Sequence, residues 1–259
     1  MNKLLIAGVA ASILAIEGMA YGADLPVKAP LVVPAPAFSW TSCYAGGHAG
    51  GGWANTNVTD PVQLVQDGFL GLGSTVGVTT VSTDPTGYLI GGQFGCDYQF
   101  FAGAVVGLEG AVSGGNIKGT TTVPLPLGFP GDSAAVKSQA DFISSATVRL
   151  GYGWDRWLLY ARGGAAWIGD KYSIVGTFQG TGFDFEGNDL RTGWTVGAGA
   201  EWAVWDYWSV RLEYDYYDFG HRSVLMSDST NVLSGPVDVK ESVQTVKLGL
   251  SFHVWAFGN

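Results

Sequence analysis

Strict side-chain alternation constrains this chain more than any other feature. In "RLEYDYYDFG", Arg211 to Gly220, charges occupy every second position (Arg211, Glu213, Asp215), and large apolar or aromatic residues stand between them (Leu212, Tyr214, Tyr216). Period two is the repeat of a β-strand, whose successive side chains point to opposite faces. The same pattern marks eight segments, at about 40–54, 87–100, 103–113, 140–154, 156–169, 193–205, 207–219 and 242–255. One parity in each is apolar: Val106, Leu108 and Val112 in the third, Phe142, Ala146, Val148, Leu150 and Tyr152 in the fourth, and Val246, Leu248, Leu250, Phe252 and Val254 in the eighth. The other parity carries Gly, Ser, Thr and charges.

The connections alternate as well. Three are only one to three residues long, at "FAG", Asp155 and Asp206, whereas four, at about 55–86, 114–139, 170–192 and 220–241, run roughly twenty to thirty residues. Tight turns at one end and long loops at the other characterise a bacterial outer-membrane barrel. The fold expected is therefore all-β, an eight-stranded antiparallel transmembrane β-barrel with short periplasmic turns and long extracellular loops.

A soluble eight-stranded barrel is the competing architecture, and the aromatic residues decide against it. Tyr98, Phe100, Trp154, Trp157, Trp202 and Trp208 lie near the short-turn ends, and Trp53, Tyr88, Phe142, Trp167, Trp194 and Tyr216 near the long-loop ends. Two such belts match the two headgroup boundaries of a bilayer. Closure of the sheet also removes edges that would leave backbone groups unpaired in hydrocarbon.

Only 14% of residues are charged, against roughly 25% in soluble domains. The one long apolar run, Leu4 to Ile16, spans thirteen residues, short of the roughly 20 that a membrane helix needs. Together with Lys3 and the small residues of "GMAYGADLP" it reads as a signal peptide over residues 1–22, cleaved after Ala20 or Gly22. Pro26, Pro30, Pro34 and Pro36 make residues 23–38 an extended periplasmic spacer, leaving 39–259 for the barrel. A net charge of −9 on an exported chain argues against nucleic acid as a partner.

The polar parity places nine charges inside: Asp97, Glu109, Arg149, Arg162, Glu201, Arg211, Glu213, Asp215 and Lys247. Eight strands enclose only enough room for side chains to fill the interior, and buried charges must pair. His48 and His253 share that parity, and a satisfied interior histidine outweighs a ligand role for each. Neither G-x-S-x-G, H-E-x-x-H nor Cys-x-x-Cys occurs, so no enzyme activity, metal or cofactor is expected. The acidic stretch "DFEGND", Asp184 to Asp189, fails the EF-hand spacing and reads as a solvated loop. Cys43 and Cys96 fall on the lipid-facing parity of adjacent antiparallel strands. They can bridge if they lie opposite one another, and barrel stagger can equally offset them.

The stretches "ADLPVKAP", "FSWTSCYAGGHAGGGW", "GYLIGGQFGCDYQF", "VRLGYGWDRWLLYARGGAAW" and "GWTVGAGAEWAVWDYWSVRLEYDYYDFG" resemble the small immunogenic outer-membrane proteins of alphaproteobacteria, an OmpA-like, porin-family barrel group. The resemblance covers essentially the whole chain. Two departures stand out: Cys43 and Ala45 thin the apolar face of the first strand, and Gly258 and Asn259 follow Trp255 and Phe257 where members tend to finish on an aromatic residue. The last strand keeps Lys247, Gly249, Phe252 and Val254, which look like the signal read by the outer-membrane insertion machinery. Partners implied are outer-membrane lipid, lipopolysaccharide and that machinery during assembly. Two functions compete: a structural and surface-interaction barrel whose lumen is plugged by paired charges, or a narrow porin-like channel for small solutes. The resemblance also implies loop-mediated ligand binding, haem for example, for which no motif stands in the chain.

Overall fold

The computed structural model describes residues 38–59, 80–124, 131–228 and 234–254. The expected signal peptide and nearly all of the spacer lie outside the described residues. Nine strands follow in order: β1 (Ser42–Thr59), β2 (Thr80–Thr83), β3 (Thr86–Gln99), β4 (Ala104–Pro124), β5 (Ser133–Trp154), β6 (Trp157–Phe178), β7 (Thr181–Ala203), β8 (Trp208–Asp228) and β9 (Ser234–Val254). Each long strand pairs antiparallel with its neighbour, and β9 pairs back onto β1 from Cys43 opposite Val254 to Thr59 opposite Asp238. β2 pairs with β1 beyond the reach of β3. It continues the line of β3 across Asp84 and Pro85, whose ring nitrogen cannot donate to a ladder. The ring is thus an eight-stranded barrel.

At the short-turn end the strands stop where the alternation stops. Ala102 and Gly103 turn the β3–β4 corner with φ of 60° and 88°, and Asp155 turns the β5–β6 corner with φ of 51°. The other end differs from expectation in composition. Most of the stretches read as long loops are ladder: β4 runs on to Pro124, β5 starts at Ser133, and β6 and β7 are joined by Gln179 and Gly180 alone. Those two residues have φ of 51° and 77°, the paired positive angles of a tight hairpin turn. The acidic stretch Asp184–Asp189 accordingly lies within β7, with Phe185 fully buried, and is not a loop.

Bulges explain why these extensions were hidden. The register shifts between Gly114 and Ile117, between Ala140 and Phe142, and between Asp218 and His221. The inward parity flips in β5, between Ile143 and Ala140, and in β8, between Phe219 and Val224, so alternation read from below ends there, while β4 keeps its parity from Ser113 to Ile117. Beyond the bulges the pattern inverts: apolar residues turn inward and polar ones outward. Val58, Val81, Ala134, Val136, Tyr172, Ile174, Phe185, Val224, Val237 and Val239 pack together inside the projecting wall. Each such burial is worth roughly 1.5–3 kcal/mol for the larger side chains, enough to hold strands outside the membrane.

One seam interrupts the projecting wall. β7 and β8 pair from Trp194 opposite Asp218 down to Ala203 opposite Ser209, and again at Phe185 and Glu186; the register lapses in between. Arg222 reaches across this seam to Asp189 at 3.2 Å.

The outer face is apolar. Val106, Leu108, Leu150, Leu212, Leu248 and Leu250 are exposed between the belts. All twelve belt rings lie on this face; ten are exposed, while Trp167 and Tyr216 are half-buried. Neighbouring rings pack along each belt, with Trp157 on Trp202 at 5.8 Å and Trp194 on Tyr216 at 5.7 Å. Cys43 and Cys96 lie opposite each other in the β1–β3 register and are joined by a disulfide.

Candidate functional site

The barrel interior gathers the nine charges expected there, and all nine are at most 5% exposed. They form one connected set. Arg149 on β5 reaches Asp97 on β3 at 3.0 Å and Glu201 on β7 at 2.8 Å. Arg162 on β6 contacts Glu109 on β4 at 2.6 Å, and Glu213 and Asp215 on β8 at 2.7 and 3.2 Å. Arg211 on β8 also pairs with Glu109, and Lys247 on β9 lies 2.9 Å from Glu213 and 2.6 Å from Asp215. Every long strand but β1 contributes a charge. β1 supplies Tyr44, which donates to Glu109 at 2.6 Å and accepts from Arg149.

Neutral groups extend the network. Tyr160 donates to Glu213 at 2.9 Å, and its ring lies 3.9 Å from the Arg149 guanidinium, a cation–π contact. Arg162 also donates to Ser145 at 3.1 Å, and Arg211 to Ser251 at 2.8 Å. Five acids face four bases, and His253 stands 3.4 Å from the fifth acid, Glu201. Such pairing is what makes burial of charge tolerable, because the attraction between partners offsets lost hydration only with close geometry and satisfied hydrogen bonds.

Both interior histidines are held as the sequence suggests. His48 hydrogen-bonds Gln93 and Ser113, and His253 bonds Ser42 at 2.9 Å and Ser209 at 2.8 Å. A void of about 10 Å³, room for one water, borders His48, Glu109, Arg211, Glu213 and Lys247.

Along the barrel axis the charges are one layer among several, and β6 traces the order. Leu158 is buried with Trp40, Val105, Tyr160 and Ala203 at the short-turn end. Arg162 belongs to the charge network. Ala166 and Ile168 then join Ala54, Ile117, Ala140, Ile143, Tyr217, Phe219 and Val243 in an apolar layer. Asp170 follows, and above it Tyr172 and Ile174 enter the packing inside the projecting wall.

Asp170 belongs to a second polar cluster that sequence reasoning missed. Arg191, fully buried, lies 4.0 Å from Asp170, 3.4 Å from Asp189 and 3.8 Å from Glu241, and its guanidinium sits 5.1 Å from the Tyr172 ring. Tyr172 donates to Glu241. All four charges fall in stretches read as loops or at their edges, so no inward parity was assigned to them. Continuing the β6 alternation past Ile168 would have placed Asp170 and Tyr172 inside.

Trp40 was also misplaced, as the start of the first strand. It precedes β1, is fully buried, and packs edge-on against Phe38 at 5.0 Å and His253 at 5.8 Å, with its backbone N–H bonded to Gln99 at 2.8 Å. Of the expected assembly residues, Phe252 and Val254 lie exposed in the short-turn belt, whereas Lys247 and Gly249 face inward. Gly249 makes room for Arg211: a Cβ there would stand 2.8 Å from its Cγ.

Chemically, the arrangement is a salt-bridged interior between apolar layers. Among the described residues no group of three or more His, Cys, Asp or Glu is placed to hold a metal ion.

Comparison with known proteins agrees with this geometry. Residues 29–252 match the family described as outer membrane protein beta-barrel domain. The 31 kDa outer-membrane immunogenic protein of Brucella melitensis biotype 1 is 27% identical, over 97% of this chain and 99% of its own. The 22 kDa outer membrane protein of Rhizobium leguminosarum bv. viciae is 28% identical, over 96% of this chain and 98% of its own. Among solved structures, the outer membrane protease OmpT from Escherichia coli superimposes with a TM-score of 0.50 at 10% identity, covering 84% of this chain and 98% of that one. That likeness concerns the fold alone.

Proposed function

Because the chain belongs to the outer membrane protein beta-barrel family and so resides in the outer membrane, we propose that it is a closed barrel with a structural and surface-interaction role rather than a solute channel. The observation that carries this reading is the connected interior network, in which each of nine buried charges has an oppositely charged partner within 3.2 Å. A continuous water path would need those pairs to open. General diffusion channels of this architecture use about sixteen strands, while eight leave room only for side chains. The apolar layers on both sides of the network support the same reading.

The surface role rests on the projecting wall. Packing inside it holds strands of β4 to β9 beyond the outer belt, so the chain presents a rigid, largely polar surface outward. Assembly fits Phe252 and Val254 as the apolar part of the recognition signal, since both lie on the outer face of the last strand, where a partner can reach them.

Solute uptake tests the proposal. Liposomes carrying the refolded protein are expected to swell in isotonic arabinose no faster than empty liposomes. Swelling that slows with increasing sugar size would mark a narrow channel instead.

A further inference from the structure

On the described strands, every exposed Lys and Arg lies beyond the outer aromatic belt: Lys118, Lys137, Lys171, Arg222 and Lys240. In a chain of net charge −9 this placement is selective. Three of the five share one patch. Gln139 on β5 is the register partner of both Lys118 on β4 and Lys171 on β6, so two lysines flank it on the same outward face. Their backbones are about 10 Å apart, two strand spacings. Lys137, two residues further along β5, points from the same face and completes a triangle.

Asp141 draws the Lys171 ammonium toward this patch. It sits in the β5 bulge beside the belt residue Phe142 and receives Lys171 at 2.7 Å and the Gln139 amide. The Lys171 hydrogen bond first, then that of Gln139, together with the charge of Lys118, holds its carboxyl below the usual range. At the level of Gln139 and Asp141 one carboxylate faces the three lysines, and the local balance there is positive. Glu186 on β7 stands in the register row of Lys137, and Asp184 on β7 and Asp84 before β3 lie further out; all three are exposed and repel anions from that side. The positive excess therefore lies next to Phe142, at the height where a lipid's polar head meets the belt.

We propose that Lys118, Lys137 and Lys171, with Gln139 between them, dock the phosphorylated headgroup of an outer-leaflet lipid. Lysine binds phosphate as a mobile point charge, which suits a fluid partner with several phosphate positions. The site rests on the outer-membrane location and not on whether the barrel conducts. Each lysine near an anionic headgroup is worth roughly fivefold in affinity, so the two uncompensated charges give roughly 25-fold.

The test uses the full refolded protein in phosphatidylcholine bilayers doped with lipopolysaccharide, with the same lipid dephosphorylated, or with inorganic phosphate in the buffer. Lipid retained on the protein after detergent extraction is weighed by native mass spectrometry, and folding is checked by unheated gel mobility. Wild type is expected to retain the phosphorylated lipid with roughly 25-fold preference over the Lys118→Ala/Lys137→Ala/Lys171→Ala variant, and the corresponding triple Arg variant to keep it. Equal retention by the folded triple Ala variant, or equal retention of the dephosphorylated lipid, overturns the proposal. Displacement of the lipid by millimolar inorganic phosphate overturns the assignment to a lipid headgroup.

Discussion

Arg149 and Glu201 stand on β5 and β7, separated by a whole strand, yet their Nη2 and Oε2 atoms are 2.8 Å apart and neither side chain is more than 1% exposed. A pair that crosses an intervening strand inside a barrel ties the wall together from within. Removing one partner strands the other charge without water, at a cost of about 3–5 kcal/mol. Glu201→Ala and Arg211→Ala are therefore expected to lower stability by that order in urea unfolding in detergent. Replacing Asp97, Arg149 and Glu201 together by Asn, Met and Leu should cost less than truncating Arg149 alone, because Asp97 and Glu201 both pair with Arg149 and no charge is then left unpaired. Losses within about 0.5 kcal/mol for both single variants would mean that these groups are hydrated.

The disulfide makes a simple chemical prediction. Cys43 and Cys96 face one another on β1 and β3, and the barrel end they share is exported to an oxidising compartment. Titration of denatured, unreduced protein with a thiol reagent should find no free thiol, and two after reduction. Two free thiols before reduction would contradict the pairing.

Protease accessibility separates strand from loop in the projecting wall. With only Gln179 and Gly180 between β6 and β7, residues 181–192 should resist protease added to intact cells. Rapid cleavage within that stretch would restore the loop reading. Cleavage at Asp155 or Asp206 in intact cells would instead invert the orientation, which places the short turns in the periplasm.

The β7–β8 seam should be visible in hydrogen exchange. Amides of β7 that point toward β8 between 187 and 193 lack the ladder that protects 194–203 and are expected to exchange faster by at least tenfold, about 1.4 kcal/mol of opening free energy. Arg222→Ala removes the 3.2 Å contact to Asp189 across the gap and should widen the difference. Uniform protection along β7 would argue that the seam is paired in solution.

How much of this was legible in the sequence depends on what sets each feature. The wall between the belts obeys one rule, lipid outside and charge inside, so period two alone placed Arg211, Glu213 and Asp215 inward with Tyr214 and Tyr216 outward. Above the belts the solvent outside is water and the rule reverses, while bulges in β5 beside Ala140 and in β8 after Asp218 shift the parity where the reversal begins. Asp170 and Arg191 were lost to the reversal alone, since the uninterrupted β6–β7 register carries their alternation plainly. Trp40 was beyond such reasoning, because a residue that leaves the strand to fill the barrel end follows no period. The disulfide depended on register, which barrel shear sets and local sequence does not.

Ionic current across a planar bilayer tests the closed interior most directly. Wild-type protein, inserted and verified as folded, is expected to pass no more current than a protein-free membrane, and Arg211→Ala to add discrete openings as the loosened Glu109 partner and vacated volume admit water. A steady open channel in wild type, with conductance and stability unchanged in the Arg211→Ala and Glu201→Ala variants, would contradict the account and establish a pore.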